Sequence, residues 1–273
     1  MEQLSLPTAD KACGISFLHQ MSVSETYHIH THDFYEIFYV IKGRAMHHIN
    51  GVSECCTSGT LELIRPRDAH VYSFINRYDM ELISIGIRRD IMQEIFAFVG
   101  VDEAMINDRN MPLSTVFDAR NAEYVRGNLT RMGEIGDADR RRPFGKAMIA
   151  QLLIFLAESG ENRERIPQWL DELLGEMEKE ENYIAGLSRM VELAHVTQSH
   201  LNRELKKYLG LTPTEFINSK RIALAGDMLL ENRESIISIS EKCGFETLSN
   251  FYDNFHKVYG CAPKEFVSKH KSI

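Results

Sequence analysis

Leu201-Asn202-Arg203-Glu204-Leu205-Lys206-Lys207-Tyr208-Leu209-Gly210-Leu211-Thr212-Pro213-Thr214-Glu215-Phe216 is the stretch whose reading decides the fold, because it returns as Phe251-Tyr252-Asp253-Asn254-Phe255-His256-Lys257-Val258-Tyr259-Gly260-Cys261-Ala262-Pro263-Lys264-Glu265-Phe266. Leu201, Leu205, Gly210, Pro213, Glu215 and Phe216 recur 50 residues later as Phe251, Phe255, Gly260, Pro263, Glu265 and Phe266. Upstream, Leu187, Met190, Val191 and Val196 match Ile236, Ile239, Ser240 and Phe245 at an offset of 49, so the register slips by one residue before each second helix. A period of this size signals repeated structure, and two copies are too few for a solenoid. The pattern therefore reads as a pair of similar subdomains.

Each subdomain has the form short helix, tight turn, longer helix. In the second, Gly244 suits the positive φ that ends a helix. In the first, His195 stands at that position, a costlier residue there. Leu201 and Leu205, like Phe251 and Phe255, are four apart on one apolar face, which leaves Ser199, Asn202, Arg203, Lys206, Ser249, Asn250, Asp253, Asn254 and Lys257 pointing outward. A helix-turn-helix presents such a polar second helix to the DNA major groove, although an ordinary solvated face has the same pattern.

With both units, their spacing and the joining segment Lys220-Arg221-Ile222-x-x-Ala225-x-x-Leu229-Leu230 in agreement, residues from about 182 to 268 resemble the DNA-binding domain of the AraC/XylS family of bacterial transcription regulators. Val191 and Ser240 stand where that family usually has Ala, and His195 where it has Gly. The resemblance implies a first helix-turn-helix at about 187–209, a linker helix at about 214–230 and a second helix-turn-helix at about 236–259. It also implies base contacts from Ser199, Asn202 and Arg203 in the first unit, and from Leu248, Ser249, Tyr252 and Asp253 in the second. Chemistry ranks them: Arg can bond guanine bidentately and Asn can bond adenine, whereas Asp can at best accept from cytosine. Lys206, Lys207 and Lys257 suit phosphates, which position the protein without specifying sequence.

Moving toward the N-terminus, an acidic helix-like run from Asp171 to Glu181 follows a polar break, Glu158-Ser159-Gly160-Glu161-Asn162-Arg163-Glu164-Arg165, with Pro167 behind it. The domain boundary is placed there: residues 1–160 as one domain, 161–181 as a linker with an acidic helix, and 182–273 as the DNA-binding domain. Residues 28–88 carry short strand-like runs, Phe34–Ile41, Ala45–Ile49, Leu61–Ile64, His70–Ile75 and Glu81–Ile87. Gly43, Asn50-Gly51, Ser58-Gly59 and Arg65-Pro66-Arg67-Asp68 punctuate them. Asn-Gly between two such runs predicts a two-residue hairpin, since both central residues take positive φ. From about Asp90 the period becomes helical, with Ile91, Ile95 and Val99, then Phe144, Met148, Leu152, Phe155 and Leu156. The fold class is thus α+β in two domains: an antiparallel β-barrel with accessory helices, then an all-α double helix-turn-helix.

His30-x-His32-x-x-x-Glu36, with Gly43 seven residues on, and Gly59-x-Leu61-x-Leu63-Ile64-x-Pro66-x-Asp68-x-His70 resemble the cupin-type sensor domain of the same family. In metal-binding cupins two histidines, a glutamate and a later histidine hold a divalent metal, and His30, His32, Glu36 and His70 occupy the matching places. Strand alternation sets His30 and His32 on one face, and imidazole with carboxylate suits Zn, Ni, Mn or Fe(II). Asp68, however, replaces the usual glycine, and the spacing to His70 differs. Three readings stay open: a metal site, a polar pocket for an organic effector, and buried structural histidines. The Asp33-Phe34-Tyr35-Glu36 context most resembles sugar-responsive members. Helices at about Ala122–Gly136 and Phe144–Ser159 resemble the family's dimerisation and inter-domain helices, which implies a homodimer. Arg140-Arg141-Arg142 reads as a solvated basic turn.

Charge fits this division. The whole chain of 273 residues is acidic, at -8, which taken alone argues against a nucleic-acid partner. Residues 182–273 hold 12 Lys+Arg and 10 Asp+Glu, however, so the acidity belongs to the sensor half and its linker. Five cysteines with no C-x-x-C pair exclude a Cys-type zinc knuckle and a paired disulfide framework. The longest apolar run, Met148–Ala157, is half of the roughly 20 residues that span a bilayer, and the first residues lack a basic, then apolar, leader. These features predict a cytoplasmic protein without a membrane partner. Its expected function is regulation of a promoter on double-stranded DNA in response to a small molecule, with RNA polymerase as a partner for an activator. A metal-dependent cupin enzyme fused to a DNA-binding module is the alternative, and a barrel serving only for dimerisation a third. No phosphate loop, no G-x-S-x-G motif and no convergent ionisable set beyond the quartet appears, so no catalytic residue is expected.

Overall fold

A computed structural model describes residues 2–7, 10, 12–21, 28–74, 80–158, 166–231 and 233–270. The polar break at 159–165, where the boundary was placed, lies outside the described residues. These residues fall into two compact units, one before that break and one from Ile166 onward.

In the first unit the strands are β1 (Glu2–Leu4), β2 (Leu18–Met21), β3 (His30–His32), β4 (Tyr35–Lys42), β5 (Arg44–Ile49), β6 (Val52–Thr57), β7 (Thr60–Ile64), β8 (His70–Phe74), β9 (Glu81–Ile87) and β10 (Leu113–Val116). They build two five-stranded sheets, in the orders β1-β3-β8-β5-β6 and β10-β7-β4-β9-β2. Every pairing is antiparallel except that of β1 with β3, where Glu2 lies beside His30. The β5–β6 hairpin turns at Asn50 (φ 50°) and Gly51 (φ 79°), with Ile49 opposite Val52. This is the mirror-image turn that Asn-Gly favours.

β4 shows why the second sheet is buried on both faces. Tyr35, Ile37 and Tyr39 belong to a core with Ile91, Ile95, Val125, Leu129, Leu152 and Leu156, from the helices α1 (Arg89–Val99), α3 (Ala119–Glu134) and α4 (Ala138–Glu158); α2 (Glu103–Asn107) adds Ile106. The alternate residues Phe38 and Val40 pack with Ala45, Cys56, Leu82 and Tyr72, so side chains from the two sheets meet. Period-two alternation therefore sends Glu36, Phe38 and Val40 into the space between the sheets. Burying a large apolar side chain contributes roughly 1.5–3 kcal/mol, and this strand does so on both sides.

The second unit comprises α5 (Gln168–Glu176), α6 (Glu180–Ala185), α7 (Leu187–Ala194), α8 (Gln198–Leu209), α9 (Pro213–Glu231), α10 (Ile236–Lys242), α11 (Leu248–Tyr259) and α12 (Pro263–His270). The acidic segment from Asp171 to Glu181, expected as one helix of a linker, is split between α5 and α6. The apolar residues Leu170, Leu173, Leu174 and Met177 are buried, and α5 packs on α7. α9 contacts α6, α7, α8, α10, α11 and α12 and so runs through both helix-turn-helix units. Its start is a capping box: Thr212 Oγ1 accepts from the Glu215 backbone N–H (3.2 Å), and Glu215 Oε2 accepts from the Thr212 N–H (2.9 Å). With Lys257 and Lys206 nearby, these bonds hold the Glu215 carboxyl down at about 2.

Arg221 on α9 ties α6 to the second helix-turn-helix. It donates to the carbonyls of Tyr183 (2.9 Å) and Ile184 (2.5 Å), and its guanidinium lies over the Phe245 ring at 5.7 Å. Gly244 (φ 80°) sits so close that a Cβ there would stand 2.8 Å from the Ile184 oxygen and 3.1 Å from the guanidinium. Its counterpart His195 takes φ 52° and pays the left-handed strain that glycine avoids.

Candidate effector pocket and nucleic-acid interface

α8 and α11 are built alike. Thr197 and Thr247 cap them, accepting from the backbone N–H of His200 and Asn250. Gly210 and Gly260 close them in the left-handed conformation. Leu201, Leu205 and Leu209 on α8, and Phe251 and Phe255 on α11, are buried. The opposite faces carry Ser199, Asn202, Arg203, Lys206 and Lys207, and Leu248, Ser249, Tyr252, Asp253 and Lys257, all exposed. Arg203 donates to His200 Nδ1 (2.7 Å) and pairs with Glu204, while its side chain remains 68% exposed. Lys206 and Lys257, one from each recognition helix, approach the same carboxylate, Glu215, at 3.8 and 3.3 Å. Exposed pairs of this kind are worth at most about 1 kcal/mol and exchange readily for phosphate contacts.

Asn254, expected to point outward, instead accepts from Asn218 on α9 at 3.0 Å and so supports the scaffold. Sequence reasoning missed Trp169, whose ring lies 5.6 Å from that of His200 and so braces α8 from α5. The spacing Trp169, Leu170, Leu173, Leu174, Met177 was the available signal, masked by the acidic residues around it.

The other site lies between the sheets, in a cavity of about 340 Å³ lined by His30, His32, Glu36, His70, Ser84 and Phe17, among others. β3 places His30 and His32 on one face, and antiparallel pairing sets His70 opposite His30. One ring nitrogen from each of the three imidazoles lies within 4.8 Å of the others. Glu36, from the opposite sheet, brings Oε2 to 3.5 Å from His32 Nε2 and 3.6 Å from His70 Nε2. Its other oxygen accepts from Ser84. The structure thus brings together all four residues singled out in the sequence.

Burial holds two of these imidazoles, His32 and His70, toward the neutral form. Burial, reinforced by His47, His32 and His30, lowers His70 to about 2. Burial also lowers His32, against the pull of Glu36. Three imidazoles and a carboxylate fit a divalent metal in donor type and spacing. His30 Nδ1 lies 2.8 Å from the His28 carbonyl and donates to it, the kind of outer contact that orients a metal-binding ring. His32 Nδ1 is buried with no hydrogen-bond partner among the described residues, so that ring is not oriented in the same way.

Asp68, which departs from the metal-cupin pattern, is a strut. Both its oxygens bond the buried Arg65 guanidinium (2.7 and 2.8 Å), and Asn50 donates to it at 2.8 Å. Burial would raise its carboxyl, but these bonds outweigh burial and hold it low. Behind the quartet lies a second polar layer that the sequence did not reveal: His47, Glu62 and Tyr72. The His47 and Tyr72 rings stack at 4.1 Å, Tyr72 donates to Glu62 at 2.9 Å, and His47 Nε2 is 3.1 Å from His70 Nδ1.

A ligand-binding sandwich and a duplicated helix-turn-helix define a ligand-responsive DNA-binding regulator. Residues 13–117 match the AraC-like ligand binding domain, and residues 190–269 match a helix-turn-helix domain. The chain belongs to the AraC/XylS family of transcription regulators. It is 25% identical over 243 residues to the HTH-type transcriptional activator RhaS of Escherichia fergusonii, and 26% identical over 242 residues to RhaS of Shigella boydii, each alignment covering 86% of both chains. Among solved structures it is similar to ToxT of Vibrio cholerae: an apo form (14% identity, TM-score 0.43, 93% of this chain and 97% of that one) and a form bound to an unsaturated fatty acid (18%, 0.40, 95% and 96%). The family consists of regulators rather than enzymes, so the cupin-enzyme alternative falls. Among the described residues, no helix is long and apolar enough to cross a membrane.

Proposed function

We propose that this protein controls a bacterial promoter as a cytoplasmic homodimer, with a carbohydrate as effector and RNA polymerase as its partner where it activates. The carrying observation is the pair of exposed polar helix faces, on α8 and α11, repeated 50 residues apart and joined by one long helix. Arg203 and Asn202 are the principal base readers, Ser199, Leu248, Ser249, Tyr252 and Asp253 complete the base-facing set, and Lys206, Lys207 and Lys257 hold phosphates. On this reading the first unit binds the effector and dimerises, and the second binds DNA. The relatives named as the transcriptional activator RhaS support activation.

The cavity supports a carbohydrate by size and lining: about 340 Å³ lies in the range of small-molecule sites. His30, His32, Glu36, His70 and Ser84 offer partners for hydroxyl groups, and Phe17, Phe34 and Phe38 offer apolar ring faces. The effector acts by binding one arrangement of the protein better than another, since only differential affinity shifts an equilibrium. Footprinting of the purified protein on the DNA flanking its gene, with and without a panel of monosaccharides, tests the reading. A protected site that changes with one sugar is expected. Absence of any protected site at about 100 nM protein and moderate salt, where specific binders are saturated, overturns it.

A further inference from the structure

β5 and β6 pair with Ala45 opposite Cys56 and His47 opposite Glu54, so strand alternation turns His47 and Cys56 onto one face, the face that meets the other sheet. Glu62 comes from that other sheet, on β7. One ligand atom from each of His47, Cys56 and Glu62 lies within 4.8 Å of the others, and the three residues are 0%, 0% and 1% exposed. Three different strands supply them, so no sequence motif announces the set. His47 Nδ1 stands 2.7 Å from Glu62 Oε2, yet it makes no hydrogen bond there or elsewhere among the described residues. A buried ring nitrogen in that state carries a desolvation penalty that a cation beside the carboxylate would remove.

The donor set selects the occupant. Ligand atoms each roughly 2.0–2.3 Å from one zinc-class ion stand at most about 4.6 Å apart, so the observed spacing needs only small side-chain shifts. A divalent ion would take the imidazole lone pair, the carboxylate and a thiolate. The Cys56 thiol gives up its proton to solvent on binding, and the two negative charges then balance the cation. Thiolate with imidazole favours zinc over magnesium or calcium. Contacts that orient the ligands are in place: Tyr72 donates to Glu62 Oε2 at 2.9 Å and stacks on the His47 ring at 4.1 Å, and Ser114 donates to Glu62 Oε1 at 3.4 Å. We propose that His47, Cys56 and Glu62 form a buried binding site for a zinc-class divalent cation, which clamps the two sheets together behind the quartet. Its sulfur ligand distinguishes it from the quartet, and it stands whatever the cavity binds.

The test uses the full chain, produced in zinc-poor medium supplemented with Co²⁺ so that the buried site fills as the protein folds. A near-ultraviolet thiolate-to-cobalt charge-transfer band is expected, which the quartet, having no sulfur, cannot produce. The band should vanish in Cys56→Ser and in His47→Phe and persist in Cys55→Ser, whose neighbouring thiol lies on the opposite face of β6. No band in the wild type overturns the proposal, and so does a band that survives Cys56→Ser or follows Cys55 instead. A second measurement needs no variant to fold: zinc X-ray absorption of the wild-type chain produced with Zn²⁺. A sulfur at about 2.3 Å from the metal is expected, and a shell of nitrogen and oxygen alone overturns the assignment.

Discussion

His32, His47, Glu62 and His70 are at most 3% exposed between two sheets, whereas the side chains of Arg203 and Lys257 on the recognition helices are each 68% exposed. In the first unit an unpaired buried polar group costs about 1–3 kcal/mol, so polar side chains there crowd together. The result is a run of close approaches from Glu62 through His47 and His70 to Glu36, at 2.7, 3.1 and 3.6 Å. In the second unit the polar residues are paired loosely at the surface, and water or phosphate can replace each contact at small cost. A small ligand is met by a rigid, preset site, and DNA by side chains that remain adjustable.

The sharpest break of this contrast is Arg65→Ala. It leaves the buried Asp68 carboxylate without its bidentate partner, and losing one member of a buried pair costs about 3–5 kcal/mol. Differential scanning calorimetry should show the first unit's transition falling steeply and the second unit's unchanged. Next is Arg203→Ala, which should cost about 1–3 kcal/mol at one base pair and relax sequence preference there. Binding to a set of operator variants checks it, with equal loss on every sequence counting against a base contact.

Acidification tests the same contrast by charge. His70 and His32 are held neutral in the folded first unit, whereas their unfolded values are near 6.5. The unfolded state therefore binds more protons as pH falls below 6.5, and stability is lost from there downward by up to about 1.4 kcal/mol per pH unit for each group. Glu215 is depressed to about 2, so its contribution in the second unit persists until pH drops below 4.5 and fades between 4.5 and 2. Urea melts of chelator-treated protein at pH 7 and 5.5 should weaken the first unit alone. A smaller effect, in the opposite direction, is expected from His195→Gly: relief of left-handed strain should stabilise the first helix-turn-helix by about 1 kcal/mol. The smallest is Lys257→Gln. It should weaken binding evenly across sequences and flatten the salt dependence by about one unit of log–log slope, visible in a salt titration.

Much of this was legible in the chain. The Asn50-Gly51 turn and the central strands β4, β5, β7, β8 and β9 were readable because local alternation and turn chemistry agree with the final structure. β1, β2, β3 and β10 were not, since three or four residues carry no period of their own. The quartet His30, His32, Glu36 and His70 was readable as a motif. His47, Glu62 and Tyr72 had no motif: they belong to three strands, and only pairing and sheet stacking bring them together.

The sequence by itself determined the duplicated helix-turn-helix, because two apolar faces at helical spacing, two turns and two closing glycines admit one local arrangement each. It also determined that the acidity lies outside the DNA-binding part. Only the tertiary structure decided that α5 belongs to the DNA-binding unit, that Asp68 is a strut and not a ligand, and that His70 is backed by a histidine and a carboxylate. Those outcomes depend on contacts between residues distant in the chain. Burial then sets their energies, and burial is a property of the packed molecule rather than of any segment.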